Sequence, residues 1–224
     1  MYWMDLSGGD LTFYRDLLGW RPADDGVFTV DGQVVAGHGA AGGPGWNLHA
    51  VVDDVAATCA AVSRHGGTVV AEPGSSAVVT DPAGATFVVR EGRVADLVNK
   101  PMAFSWAELC TPEFAGARSF YSAVFGWGLV DITMEMPAAT VDYTVFLAGT
   151  AEAGGVMPAE GAFGPATPPY WLAYVEAADT DKLAAHTAEL GGTVVVEPFD
   201  VPRIGRIALL AGRSGETFAV MQMP

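Results

Sequence analysis

One eight-residue phrase is written twice in this chain. Phe13-Tyr-Arg-Asp-Leu-Leu-Gly-Trp20 returns as Phe120-Tyr-Ser-Ala-Val-Phe-Gly-Trp127. A Phe-Tyr pair, apolar positions three and four residues on, and a closing Gly-Trp describe a short amphipathic helix that stops at glycine and passes the chain to a strand. The echo extends further. Trp46 matches Trp171, Gly66-Gly67-Thr68 matches Gly191-Gly192-Thr193, and Glu72-Pro73 matches Glu197-Pro198, all at a shift of 125. Gly84-Ala-Thr-Phe87 then matches Gly215-Glu-Thr-Phe218 at a shift of 131. Such agreement is a duplication, and it divides the 224 residues into halves of ordinary domain size, 1–98 and 101–224, with the polar stretch 91–100 as linker.

Local patterns fill in each half. Asp10 is placed to cap the first helix, and Asp31-Gly32 between two apolar runs is a two-residue hairpin signal. Asp53-Asp54 opens a second helix that ends at Gly66-Gly67, and Asp179 opens its counterpart, which ends at Gly191-Gly192. Glycine-rich loops are expected at 40–45 and 161–169. Trp20 to Trp46 spans 26 positions where Trp127 to Trp171 spans 44, so the first half is expected to lack or abbreviate a strand.

Composition narrows the partners. A formal charge of −15, with Lys100 and Lys182 the only lysines, supplies no basic patch and argues against nucleic acid and anionic membrane surfaces. No apolar run approaches the ~20 residues of a membrane helix, and the first residues do not read as a secretory signal. Cys59 and Cys110 are isolated packing cysteines rather than a disulfide framework. A cytoplasmic, reduced protein is the expectation.

Strand, Phe-Tyr helix, hairpin, strand, Asp-Asp helix, Gly-Gly-Thr and Asp81-Pro-Ala-Gly84 together resemble the vicinal oxygen chelate superfamily of glyoxalases, bleomycin-resistance proteins and extradiol dioxygenases. The chain is similar in particular to two-domain glyoxalase-like proteins of actinomycetes, through Trp106-Ala-Glu108-Leu109 and Trp3-Met-Asp5-Leu6. The resemblance covers essentially the whole chain. It implies an α+β fold of tandem glyoxalase-like domains built from paired βαβββ modules, about four in all.

Metal-dependent members of that superfamily use two histidines and two carboxylates on four strands. Counted from the motifs, these places fall on Trp3, Gly37, Asn47 and Val88, and on Trp106, Gly155, Leu172 and Ala219. None is a usual ligand, so no metal and no cofactor is expected, with room left at Gly37 and Gly155. A site made from His38, His49 and carboxylates such as Asp5 would need a different register. His65 reads as a cap residue and His186 as exposed.

Residues two apart on a strand share a face. The inward set of the first cup is then Trp3, Asp5, Asn47, His49, Val88 and Arg90, and that of the second is Trp106, Glu108, Leu172, Tyr174, Ala219 and Met221. An apolar concavity with sparse polar fixtures is the general form of a small-molecule site. Trp3 and Trp106 could stack on a planar ligand, and Asp5 or Glu108 could hold its amine. The expected function is metal-free binding and sequestration of a small, aromatic, cationic natural product such as an anthracycline-like antibiotic, in self-resistance or biosynthesis. The alternative is a cofactor-independent enzyme of secondary metabolism with Asp5, His49 or Glu108 as acid or base. A metal-dependent glyoxalase-like or dioxygenase-like enzyme is a third reading. Monomer and edge-to-edge homodimer both stay open.

Overall fold

A computed structural model describes residues 2–39, 42–71, 74–92, 94–136, 139–158 and 168–224. The expected loop at 161–169 lies almost wholly outside these residues, as do Ala40, Ala41, Glu72 and Pro73.

Four βαβββ modules follow one another. The first is β1 (Tyr2–Ser7), α1 (Leu11–Leu18), β2 (Arg21–Pro22), β3 (Val27–Val30) and β4 (Gln33–Gly39). The second is β5 (Gly45–Val51), α2 (Val55–Arg64), β6 (Thr68–Val69), β7 (Ser76–Thr80) and β8 (Thr86–Arg90). The third is β9 (Phe104–Thr111), α3 (Phe114–Phe125), β10 (Gly128–Glu135), β11 (Thr140–Ala148) and β12 (Ala151–Pro158). The fourth is β13 (Tyr170–Glu176), α4 (Thr180–Glu189), β14 (Thr193–Val201), β15 (Gly205–Ala211) and β16 (Thr217–Gln222). The strands form two eight-stranded sheets, ordered β2-β3-β4-β1-β5-β8-β7-β6 and β10-β11-β12-β9-β13-β16-β15-β14. The abbreviated strand is β2, two residues against the eight of its counterpart β10.

Local chemistry explains the boundaries. Asp10 caps α1 by accepting from the Thr12 and Phe13 amides, Asp54 caps α2 through Ala57, and Asp179 caps α4 through Lys182. Each aspartate satisfies amide groups that a helix leaves without an internal partner. Gly19 and Gly126 end α1 and α3 in the left-handed conformation, φ 73° and 67°. Asp31 and Gly32 both have positive φ, as a tight hairpin turn requires.

The chain packs as two compact units, and neither is a sequence half. One comprises Met1–Trp3, Leu48–Val94 and Ala107–Trp171; the other comprises Met4–Asn47, Ala95–Trp106 and Leu172–Pro224. The first unit contains α2 and α3, and the second contains α1 and α4. The duplicated words meet in this exchange. In the second unit the Phe13 ring of α1 comes so near Gly192 that a Cβ there would lie 3.0 Å from it. In the first, Phe120 of α3 stands in the same relation to Gly67. The second glycine of each Gly-Gly-Thr is therefore the groove for the phenylalanine encoded in the opposite half. Phe13, Tyr14, Leu17 and Leu18 of α1 are buried, each contributing about 1.5–3 kcal/mol by leaving water.

Each unit also carries one buried polar chain from its Phe-Tyr motif. In the second unit Trp46 Nε1 donates to the Tyr14 hydroxyl at 2.9 Å, and that hydroxyl donates to Glu216 at 2.9 Å. In the first, Trp171 donates to Tyr121 at 3.1 Å and Tyr121 donates to Asp81 at 3.2 Å. Burial, then the neighbouring carboxylate, pushes both phenols well above the usual tyrosine range. They are neutral structural donors.

Candidate functional site

Strand pairing settles which residues stand side by side. In the second unit β1 runs parallel to β4 with Asp5 opposite Gly37, and β13 runs parallel to β16 with Tyr174 opposite Ala219. In the first unit β5 runs parallel to β8 with His49 opposite Val88, and β12 runs parallel to β9 with Gly155 opposite Glu108. Equivalent positions of the two repeats therefore hold Asp5, Gly37, His49 and Val88 in one half, and Glu108, Gly155, Tyr174 and Ala219 in the other. Counting from motifs gives Trp3 and Asn47 as the ligand places of their strands; the residues that face Gly37 and Val88 in the ladders are Asp5 and His49, each one pleat further along.

Asp5 is buried, and its Oδ1 accepts from the Gly39 amide at 2.8 Å. Asn47, also buried, clamps the glycine loop before it. Its Nδ2 donates to the Gly43 and Gly45 carbonyls at 2.7 and 2.9 Å, and its Oδ1 accepts from Gly43 at 3.0 Å. Both amide hydrogens of Asn47 are thereby used by the fold.

His49 differs. It is 4% exposed, and among the described residues neither ring nitrogen has a hydrogen-bond partner. Burial, reinforced by the positive charge of Arg90, lowers its pKa to about 4, so the ring is neutral at pH 7. The Arg90 guanidinium lies over the Trp3 ring, 5.3 Å from its centroid, and Trp3 is buried. In the first unit, then, the structure brings Trp3, His49, Val88 and Arg90 into one neighbourhood.

Glu108 of β9 is buried, and the Cys110 thiol lies 3.9 Å from its Oε1. Burial and then that carboxylate push the thiol well above its usual range, so Cys110 is an inert packing residue, as expected. Burial, and then the neighbouring Cys110, raise the Tyr170 phenol above its usual range. Trp106 on β9 is half-buried. Leu172 and Tyr174 on β13, and Ala219 and Met221 on β16, are buried in the second unit.

The room expected at Gly155 is filled. A Cβ built there would overlap the Tyr143 phenol. Tyr143 escaped the sequence reading because the hairpin of β11 and β12 was not registered. Val145 opposes Gly155, which makes Tyr143 its diagonal neighbour on the same face, within reach of an aromatic ring. His38 is engaged elsewhere, its Nε2 3.1 Å from the Ala23 carbonyl oxygen, and His186 contacts Glu189 at 3.0 Å.

The metal chemistry of the superfamily asks for imidazoles and carboxylates at these paired positions. Among the described residues no group of three or more His, Cys, Asp or Glu is placed to hold a metal ion. The first repeat offers Asp5, already bonded to the Gly39 amide, and His49, with glycine and valine at the other two places; the second offers one carboxylate, Glu108, with glycine, tyrosine and alanine. The donor set does not fit a resident metal.

A tandem βαβββ fold with parallel β1–β4-type closures and side chains aligned on these strands is the glyoxalase-like architecture, and the comparisons agree. Residues 103–220 match the model of the glyoxalase/bleomycin resistance protein/dioxygenase superfamily, and residues 9–90 match a glyoxalase-like domain. The chain belongs to that superfamily. CFP32 of Mycobacterium bovis, which carries a provisional glyoxylase name, is 35% identical, with 98% of this chain and 93% of that protein covered. The anthracycline biosynthesis protein DnrV of Streptomyces peucetius is 31% identical, with 99% and 92% covered. Among solved structures, the Mn(II)-bound glyoxalase from Novosphingobium aromaticivorans superposes with a TM-score of 0.62 at 16% identity, over 98% of this chain and 80% of that one. The 2,2′,3-trihydroxybiphenyl 1,2-dioxygenase of Sphingomonas wittichii gives 0.60 at 15%, over 98% and 89%. These two likenesses concern the fold. No helix among the described residues is long and apolar enough to cross a membrane.

Proposed function

We propose that this protein binds small planar aromatic natural products without a metal, and serves as a sequestering or accessory protein in their biosynthesis or in self-resistance. One observation carries the reading. At the paired positions where a chelating fold needs donors, one member of every pair is a residue that cannot chelate: Gly37, Val88, Gly155 and Ala219. Apolar strands with Trp3 and Trp106 on them, and a few buried polar groups, suit recognition rather than chelation. The near full-length similarity to an anthracycline biosynthesis protein supports the same ligand class. Micromolar binding needs about −8 kcal/mol, within reach of one well-filled aromatic site. A cationic amine on the ligand would meet Asp5 or Glu108, and a cytoplasmic setting belongs to the proposal.

The test is tryptophan-fluorescence titration with a panel of aromatic natural products and their amino glycosides, in chelator. Saturable micromolar binding is expected. The reading fails if Trp3→Ala combined with Trp106→Ala leaves affinity unchanged.

A second reading is favoured by one residue. Among the described residues His49 is neutral, buried and without a hydrogen-bond partner, as a general base can be, and a cofactor-independent isomerase, cyclase or hydrolase using Asp5, His49 or Glu108 as acid or base would exploit such a group. Conversion of a ligand that is lost in His49→Ala would establish this reading.

A further inference from the structure

His49 stands apart from the other buried polar groups. Asn47, on the same strand, is matched by Gly43 and Gly45. Asp81, a buried carboxylate of the first unit, is matched by Ala83, Ala85 and Tyr121. Among the described residues four others, Ser105, Arg118, Thr187 and Glu216, leave one buried side-chain atom each without a partner; His49 leaves two. Burial of both ring nitrogens without hydrogen bonds carries their full desolvation cost, and native proteins rarely bear that cost without a use for the group. Packing gives no reason for an imidazole here: its strand partner Val88 is fully buried and purely apolar.

The surroundings say what the ring would meet. A neutral imidazole presents one N–H donor and one nitrogen acceptor. The Arg90 charge is felt at the ring, so anionic character in a partner is favoured there and a second cation is not. The same guanidinium lies over the Trp3 indole, 5.3 Å from its centroid, so a cation and an aromatic face already meet beside the ring.

We infer that His49 is the hydrogen-bonding anchor of the ligand site, and that with Arg90 it selects a planar aromatic bearing an acidic hydroxyl group, of the phenol or hydroxyquinone class. The inference rests on the metal-free binding reading above and adds the functional group that is recognised. His49 accepts from the hydroxyl through one nitrogen, and Arg90 stabilises the charge that builds on its oxygen. No bond is made or broken.

The experiment compares 2-hydroxyanthraquinone with 2-methoxyanthraquinone, which have the same ring system but differ in the hydroxyl hydrogen. Both are titrated in chelator into the unmodified protein, His49→Phe and Arg90→Met. The hydroxy compound is expected to bind roughly tenfold tighter or more to the unmodified protein, because the methyl ether leaves a buried acceptor unpaired. In His49→Phe the ratio should fall to about one, and in Arg90→Met it should shrink. Equal binding of both compounds by the unmodified protein overturns the inference while leaving metal-free aromatic binding intact, and this comparison needs no variant to fold. A preference that persists in folded His49→Phe overturns it as well. Binding of neither compound removes the reading on which it rests.

Discussion

Tyr14 donates to a carboxylate 202 residues away. Its hydroxyl lies 2.9 Å from Glu216 Oε1 while it accepts from Trp46 at the same distance, and all three side chains belong to one compact unit. The equivalent Trp171-Tyr121-Asp81 chain in the other unit shows that the Tyr of each repeated Phe-Tyr is conserved between halves for this polar link.

Tyr14→Phe strands a buried carboxylate oxygen and an indole N–H at once. Each unmatched group costs about 1–3 kcal/mol, so the variant should lose several degrees of melting temperature, at roughly 2–4 °C per kcal/mol for a chain of this size. Tyr121→Phe should behave alike in calorimetry, buffered by the two backbone amides that still hold Asp81. Equal stability of Tyr14→Phe and the parent protein would remove the link from the fold's support.

His49 predicts an acid-side loss of stability. Its folded pKa is about 4, against about 6.5 when exposed. Between these values the unfolded chain binds the extra proton, so stability is complete above about pH 6.5 and declines as pH falls toward 4. The decline amounts to at most about 3 kcal/mol. Urea midpoints measured from pH 4 to 7 should show this slope, and His49→Leu should flatten it.

Gly155→Ala should be destabilising by about 1–3 kcal/mol, since its new methyl meets the Tyr143 phenol. Tyr143→Val should recover much of that loss in the double variant. Additive losses in a double-mutant cycle would show that the two residues are not the neighbours described.

Capping gives a graded series. Asp54→Ala removes one cap bond, while Asp10→Ala removes bonds to Thr12 and Phe13 and the 2.9 Å ion pair with Arg213. About 1 kcal/mol is expected for the first and more for the second, read from thermal unfolding.

The modules were legible because their punctuation is local. Asp10, Asp54 and Asp179 begin helices, Gly19 and Gly126 end them, and Asp31-Gly32 turns a hairpin wherever these residues stand in a chain. Pairing was not legible, because a motif count cannot see the stagger between parallel strands, which sets Asp5 beside Gly37 and His49 beside Val88. The partnership of modules was hidden for a different reason. Phe13 and Phe120 occupy identical phrases, as do Gly192 and Gly67, so the words alone do not say which phenylalanine enters which glycine groove. Tyr143 was missed through the unregistered hairpin, and β2 through its two-residue length. That His49 has no hydrogen-bond partner among the described residues is a property of its surroundings that no sequence pattern marks.

The central claim is recognition without a metal. It is tested most directly by native mass spectrometry of the purified protein with aromatic natural products, with and without added Zn, Ni, Mn or Fe ions. The account requires a protein–ligand mass equal to the sum of protein and unchanged ligand, with no metal and no dependence on added ions. A stoichiometric metal in the ligand-bound species would contradict it.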